Sequence, residues 1–150
     1  MIQALVAHTS SILSLVLLKN DRLASGSTDS SILIWNTKNG HVLNQLKGHS
    51  LSVFCLIVLK DDNTLASGSA DTTIILWNMK TGNKLKTLYG HNNWISSLVI
   101  FSEDKLISSS ADETIKIWSQ NTGELIKTIN TGLSWVKSLI LLKNNTVVSF

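Results

Sequence analysis

The sequence lacks features that several large classes of protein require. Its 150 residues include no proline. They include a single cysteine, which excludes an intrachain disulfide framework. Only 15% of the residues are charged and the net charge is +3, so charge gives no reason to expect a nucleic-acid partner. No apolar run approaches the roughly twenty residues of a membrane helix, and no secretory leader follows Met1. These absences predict a cytoplasmic protein that binds no membrane, with the nucleus left open.

The single cysteine gives no sign of reactive chemistry. Cys55 lies in the apolar run VFCLIVL, where a buried structural thiol is favoured over a nucleophile or a metal ligand.

A segment of about forty residues repeats along the chain. LASGSTDSSILIWNTKNG begins at Leu23, LASGSADTTIILWNMKTG at Leu65 and LISSSADETIKIWSQNTG at Leu106, at intervals of 42 and 41 residues. A period of this length indicates tandem structural units rather than one fold around a single active site. Function is therefore to be sought on a repeated surface.

Each unit has the pattern of four short strands. In the second unit the predicted strands are residues 52–59, 64–69, 72–78 and 84–89, separated by polar turns. The apolar positions follow a period of two or run continuously, and no segment keeps a helical spacing. The sequence therefore predicts an all-β fold built from β-propeller blades of four antiparallel strands.

Each unit also carries a His, a Ser, an Asp and a Trp in fixed phase. The His precedes the Asp by 21 or 22 residues, the Ser precedes it by four, and the Trp follows it by six. A carboxylate enclosed between packed blades needs donors. We expect the His to donate to the Asp, the Ser to donate to the other ring nitrogen, and the indole to donate to the Ser. The predicted tetrads are His8, Ser25, Asp29 and Trp35; His49, Ser67, Asp71 and Trp77; and His91, Ser108, Asp112 and Trp118.

These features resemble the signature of the WD-repeat β-propeller family over essentially the whole chain. The resemblance is carried by Gly48-His49 and Gly90-His91, by the Ser-x-x-x-Asp spacing and by the Trp-Asn strand endings. Such a signature is specific for a fold and says little about function.

The sequence departs from the family pattern at two places in each unit. The acidic residue after the Trp is replaced at a position expected to be exposed, so little is lost; the replacements are Asn36, Asn78 and Ser119. The usual proline-containing turn is also replaced, by other turn-forming residues. These are Asn20-Asp21, Asp61-Asp62 and Glu103-Asp104.

Aligned on the repeat, the chain comprises about three and a half blades. Residues 1–8 match the last strand of a preceding blade, with the strand itself at 2–6. Residues 9–47, 48–89 and 90–130 match three complete blades, and 131–150 match the first two strands of a fourth. In that unit Thr131-Gly132 replaces Gly-His, so no fourth tetrad is expected.

An incomplete ring leaves apolar blade faces open to self-association. Three interpretations stay open: a fragment of a longer chain, a half-propeller that dimerises through its open edges, and a small closed ring. Two copies would join without a third strand at the junction, which favours the fragment.

No catalytic pattern emerges from the sequence. The tetrads engage the His and Asp residues, and the sequence has no phosphate loop, nucleophile elbow or metal-ligand spacing. We therefore predict no enzymatic activity, no cofactor and no metal. The alternatives are the sensor repeats of a larger signalling NTPase and a catalytic propeller hydrolase, which would need several carboxylates facing the channel.

The predicted function is a non-catalytic scaffold that docks peptides or protein domains. The resemblance implies docking on the loop face, where Trp94 and Trp135 hold equivalent positions and could anchor a partner. Packing over the channel mouth is the alternative role for both indoles. The residues predicted to bind a partner are Ser52, Asn92, Asn93, Trp94, Ser134 and Trp135.

Overall fold

The computed structural model describes residues 4–132, 135–143 and 146–149. Within them lie three four-stranded antiparallel sheets and one two-stranded sheet, each a meander in chain order. The first sheet contains β1 (Ile12–Leu18), β2 (Arg22–Ser27), β3 (Ile32–Asn36) and β4 (Val42–Leu46). The second contains β5 (Val53–Val58), β6 (Thr64–Ser69), β7 (Ile74–Asn78) and β8 (Lys84–Leu88). The third contains β9 (Ile95–Ile100), β10 (Lys105–Ser110), β11 (Thr114–Ser119) and β12 (Leu125–Asn130), and the last contains β13 (Leu139–Leu141) and β14 (Val147–Ser149).

The predicted fold class is confirmed, because each complete repeat forms one four-stranded propeller blade. In the second blade the second strand has the predicted bounds, and the other three strands are shorter than predicted by one or two residues at one or both ends. The structure is an open, partial propeller.

The two ends of the chain differ from the predicted strands. Residues 4–8, the described part of the predicted preceding-blade segment, form no strand. The fourth strand of a blade forms by pairing with the third, and no described strand pairs with residues 4–8. In the fourth unit β13 spans only three residues, all paired with β14. Just before it, Val136 N donates to Ser110 O of the third blade.

The core lies between successive blades. Strand β7 shows the reason for its continuous apolar run: Ile75 and Trp77 pack toward the first blade, whereas Ile74 and Leu76 pack toward the third. A strand covered on both faces has no polar side, so alternation is lost. The same parity holds in β3, where Ile32 and Ile34 face the second blade.

The turns between the first and second strands of the blades contain no proline. In the first two blades they are formed by residues with left-handed backbone conformation, and in the second blade also by a carboxylate that accepts hydrogen bonds within the turn. Asn20, Asp21 and Asp62 have φ between 54° and 59°, a region that Asn and Asp tolerate. The Asp61 carboxylate accepts hydrogen bonds from Asn63 N and from both Thr64 N and Thr64 Oγ1. Turn chemistry is therefore kept with other residues.

The position after each tetrad Trp is not a bare surface site, and the expectation that it is exposed is wrong for Ser119. That side chain is buried and donates to the Asp104 carboxylate, while it accepts from Thr122 N. In the second blade Asn78 Oδ1 accepts from Lys80 N and Thr81 N at 2.9 and 3.0 Å. The residue after the Trp thus caps the turn that leads into the outer strand. All three blades have a side-chain oxygen at this position, which accepts hydrogen bonds from backbone N–H groups of the turn.

Candidate functional site

The structure brings together the four groups of each predicted tetrad. In the second blade Trp77 Nε1 donates to Ser67 Oγ over 2.8 Å, and Ser67 Oγ lies 2.7 Å from His49 Nε2. His49 Nδ1 lies 2.8 Å from Asp71 Oδ2. Because the ionised Asp71 carboxylate can only accept, the proton of a neutral His49 ring lies on Nδ1, and Nε2 accepts from the Ser67 hydroxyl, which itself accepts from the indole N–H. One direction of donation satisfies every group.

The first and third blades repeat this geometry within 0.1 Å. The distances from Trp to Ser, Ser to His and His to Asp are 2.7, 2.7 and 2.8 Å in the first blade. In the third blade they are 2.8, 2.7 and 2.7 Å. The side chains of His49 and His91 have no exposed area, and both ring nitrogens are used. A tetrad imidazole therefore has no free nitrogen with which to take a substrate proton.

A fifth group, which the sequence analysis missed, completes each carboxylate. Two residues after each Asp, a hydroxyl donates to Oδ1 at 2.6–2.7 Å, and the backbone N–H of the same residue donates to the same oxygen. The backbone N–H that follows the His donates to Oδ2. The hydroxyl residues are Ser31, Thr73 and Thr114, and their fixed offset in the repeat was a signal that could have identified them.

These donors set the charge of the tetrad aspartates. Burial raises the pKa of Asp71, but hydrogen bonds from His49, Thr73 and Ser50 N outweigh burial and hold that pKa well below its usual range. The same balance lowers the pKa of Asp29 and Asp112. All three carboxylates are therefore ionised at neutral pH and fully engaged inside their blades.

The third blade differs from the first two by a buried lysine near its tetrad. Lys116, on β11, is buried and donates to Thr128 Oγ1 over 2.9 Å, whereas the first two blades have Leu33 and Ile75 at the same position. Burial lowers the pKa of His91, Asp112 opposes this shift, and the positive charge of Lys116 adds to it. The His91 ring is thus kept neutral.

An aromatic groove lies beside the loop that follows His91, between the second blade and the start of the fourth. It has a volume of about 310 Å³ and is lined by Phe54, Trp94, Ser96, Trp135 and Lys137. The rings of Phe54 and Trp94 lie 5.7 Å apart between centroids, and Lys137 Nζ lies 5.1 Å from the centre of the Trp135 ring. Trp94 and Trp135 are 46% and 41% exposed.

Bulges in the innermost strands aim side chains into this groove. In the pairing of β5 with β6, Phe54 is the extra residue between Val53 and Cys55. In the pairing of β9 with β10, Ser96 holds the same place between Ile95 and Ser97. A bulge bends a strand and redirects the extra side chain. Sequence reasoning missed Phe54, Ser96 and Lys137, although the repeat aligns all three.

The other predicted partner-binding residues are placed as follows. Asn92 is exposed and its backbone N–H donates to Asp112, while Asn93 Oδ1 accepts from Trp94 N. Ser52 O accepts from Ala70 N over 2.9 Å, as Trp94 O does from Ala111 N. These bonds tie the rim loops to the turns that carry the tetrad aspartates. Ser134 lies outside the described residues.

Cys55 packs inside the blade interface. Its Sγ lies 3.9 Å from both Gly68 O and Ile95 O, and burial raises the pKa of the thiol. A protonated thiol in this setting has no nucleophilic character.

Two further findings concern the described residues only. No three His, Cys, Asp or Glu side chains among them are placed to hold one metal ion. The same residues contain no helix with the length and apolar character needed to cross a membrane.

Comparison with known proteins agrees with this geometry. The family described as "WD40: WD domain, G-beta repeat" matches residues 1–36, 40–78 and 82–119. The WD repeat-containing protein pop2 of Schizosaccharomyces pombe (strain 972 / ATCC 24843) is 39% identical over 56 residues, which are 37% of this chain and 8% of that protein.

Solved structures match over more of the chain. The WD40 β-propeller domain of Doa1 superposes with a TM-score of 0.88 at 28% identity, covering 97% of this chain and 49% of that one. The computationally designed Ika4 protein superposes with a TM-score of 0.82 at 31% identity, covering 100% of this chain and 98% of the other. The chain therefore spans less than a tenth of pop2 and about half of the Doa1 chain.

Proposed function

This chain belongs to the WD40 family, and on that premise we propose that it is a non-catalytic scaffold that docks a peptide or a protein domain on its loop face. WD40 propellers are typically protein-interaction scaffolds. The single observation that supports the proposal most strongly is the aromatic groove, where two indoles stay nearly half exposed on a rim held by backbone hydrogen bonds. Large exposed aromatic side chains in a rigid setting are typical anchors of protein interfaces.

Rigidity of the rim is what makes these indoles suitable anchors. Trp94 O accepts from Ala111 N over 2.9 Å, and the next residue after Ala111 is the tetrad Asp112, which also holds Asn92 N. The loop that carries Trp94 is thus fixed at both ends by a buried network. A partner that covers Trp94 loses little loop entropy on binding, so more of the contact energy appears as affinity.

The alternative functions have less support. A propeller hydrolase needs carboxylates around its reacting centre, and the groove lining contains none. Three of the acidic side chains are already enclosed in the tetrads. The proposal of sensor repeats in a larger signalling NTPase depends on segments outside this chain, and it stays a prediction.

Peptide selection tests the proposal. The purified chain is used to select binders from a phage-displayed library of random peptides, and the dissociation constants of the selected peptides are measured by fluorescence anisotropy. We expect Trp94→Ala and Trp135→Ala each to weaken binding by about tenfold or more, as loss of a central aromatic anchor does. Urea unfolding should show that both variants stay folded and lose no more than about 1.5 kcal/mol, since each indole is only about half buried.

The matched control is Tyr89→Ala, which removes an aromatic ring that is 73% exposed and lies outside the groove. It should leave binding unchanged. Selected peptides that bind both tryptophan variants as tightly as the parent would refute docking at this groove.

A further inference from the structure

The aromatic groove has the size of a side-chain site. Its volume of about 310 Å³ stands at the lower end of the range for ligand pockets, roughly 300–1,000 Å³. Its walls are the rings of Phe54, Trp94 and Trp135. Such walls favour one bulky apolar side chain, because burial of apolar surface drives the contact and flat rings set its orientation.

Two of the described residues that line the groove are polar, Ser96 and Lys137, and of these only Lys137 has hydrogen-bond donors left. Ser96 Oγ already donates to Val136 O and lies 3.0 Å from Ser109 Oγ. Lys137 is exposed, contacts the Trp135 ring, and takes part in none of the ion pairs that the described residues form. Its ammonium therefore has donors left for a ligand.

The described residues that line the groove carry a positive charge. No Asp or Glu is among the lining residues. The nearest tetrad carboxylate along the chain, Asp112, accepts hydrogen bonds from His91, Thr114 and Asn92 N and is nearly buried. Among the described residues that line the groove, an incoming anion would meet one cation and no carboxylate.

An aromatic cage for a methylated ammonium group fits less well. Such cages attract a cation to open ring faces. Here the face of Trp135 already carries the Lys137 ammonium, so a second cation would meet a like charge.

We propose that the groove binds a peptide in which a bulky apolar side chain stands beside a carboxylate, with the apolar side chain between Trp94 and Trp135 and the carboxylate at Lys137. This inference rests on the proposed docking function and specifies the partner chemistry of the same site. It makes Lys137 the residue that selects the sign of the partner's charge.

The experiment repeats the random-peptide selection in parallel on the full chain, on Lys137→Glu, on Lys127→Glu and on the double variant Trp94→Ala/Trp135→Ala. Lys127 is an exposed lysine of the outer strand β12 and serves as the charge-matched control. Circular dichroism and urea unfolding confirm that each variant is folded before selection. A synthetic peptide with glutamate beside leucine is compared with its trimethyl-lysine counterpart by anisotropy.

We expect peptides selected on the parent chain to carry Asp or Glu within two positions of Leu, Met, Phe or Trp. The Lys137→Glu variant should bind these peptides about tenfold more weakly, and selection on it should yield Lys- or Arg-containing peptides instead, because the charge of the site is reversed. Lys127→Glu should select the same acidic peptides as the parent. The glutamate peptide should bind more tightly than the trimethyl-lysine peptide.

The outcomes separate this inference from the proposed function. Peptides that need Trp94 and Trp135 but show no carboxylate preference, or that bind Lys137→Glu equally well, overturn the inference and leave docking in place. Tighter binding of the trimethyl-lysine peptide also overturns it. No selected peptides, or equal selection by the double tryptophan variant, overturns both.

Discussion

The tetrad serine is the residue on which the direction of each hydrogen-bond chain depends. Ser67 Oγ accepts from the Trp77 indole and donates to His49 Nε2, two roles that only a hydroxyl can combine at one atom. The site is fully buried, so water cannot replace either bond. Each member therefore satisfies the next, and removal of one leaves a buried polar group without its partner.

The first prediction concerns Asp71→Ala. The substitution leaves Ser50 N, Thr73 N and the His49 Nδ1–H without their acceptor. We expect a loss of about 1–3 kcal/mol in the free energy of unfolding, measured by urea titration. Glu124→Ala, which removes an exposed carboxylate, is the control and should change stability by no more than about 0.5 kcal/mol. Equal stability of Asp71→Ala and the parent would contradict the stabilising role of the tetrad.

The second prediction concerns pH. The pKa values of Asp29, Asp71 and Asp112 are lowered by folding, so their contribution is present above the ordinary carboxyl pKa of about 3.9 and is lost as pH falls through the folded values. The pKa of His91 is also lowered, so its contribution is present above about 6.5 and is lost as pH falls below that value. The free energy of unfolding should decline gently below pH 6.5 and steeply below pH 4.

The decline in the free energy of unfolding between pH 6.5 and pH 4 depends on Lys116 and can be tested separately. Lys116→Leu introduces the residue type that the first blade has at this position, Leu33. Without the ammonium the pKa of His91 rises toward its ordinary value, so stability should change less between pH 6.5 and pH 4 than in the parent. Urea titrations at several pH values measure this difference. An unchanged profile would show that Lys116 does not act on His91.

At the scale of elements, the spacing between blades depends on a small residue in the second strand. A Cβ at Gly68 would lie 2.6 Å from both Cys55 Sγ and Ile95 Cγ2, and one at Gly26 would lie 2.8 Å from Val53 Cγ1. The third blade has Ser109 at this position, and its hydroxyl contacts Ser96. The first two interfaces are therefore packed more closely against this strand than the third.

The third prediction follows from that packing. Gly68→Ala should destabilise the chain by about 1–3 kcal/mol, because the added methyl group forces the second and third blades apart. Ser109→Ala, at the same position of the next blade, removes a hydroxyl without adding volume and should cost less, about 0.5–1.5 kcal/mol. Thermal and urea unfolding of both variants give the comparison. A larger loss for Ser109→Ala would argue against the close packing at Gly68.

At the scale of the whole molecule, one blade face has no cover within the described residues. Leu15 and Leu17 on β1 are 60% and 78% exposed. Their equivalents in the second blade, Leu56 and Val58, pack against the first blade. The face of β1 thus has the composition of a blade interface, and its exposure favours association.

The fourth prediction is that the 150-residue chain self-associates through this face. Sedimentation velocity over a range of concentrations should show species larger than the monomer, and the double variant Leu15→Lys/Leu17→Lys should shift them toward the monomer. Leu43→Lys, on the outer strand β4, is the control for a charge placed at another exposed leucine. A parent chain that stays monomeric throughout would refute the prediction.

The repeat made most of the fold and the tetrads predictable. His49, Ser67, Asp71 and Trp77 recur in phase with their counterparts, and a set of polar residues at constant offsets must meet at one place in each unit. The turn-capping role of Ser119 was not predictable, because the sequence pattern does not reveal that Asp104 turns back toward it. The missing strand at residues 4–8 depends on a pairing partner, which strand propensity alone does not include.

By itself, the sequence determined the repeat period, the strand parity and the content of each tetrad, because these depend on interactions within one unit. Only the tertiary structure decided the aromatic groove. Bulges at Phe54 and Ser96 break the alternation that sequence reasoning relies on, and the groove forms where the innermost strands of neighbouring blades converge. The spacing of residues within one repeat therefore predicts the structure of a blade. The surface between blades depends on how the backbones of neighbouring blades bend and pack, which that spacing does not contain.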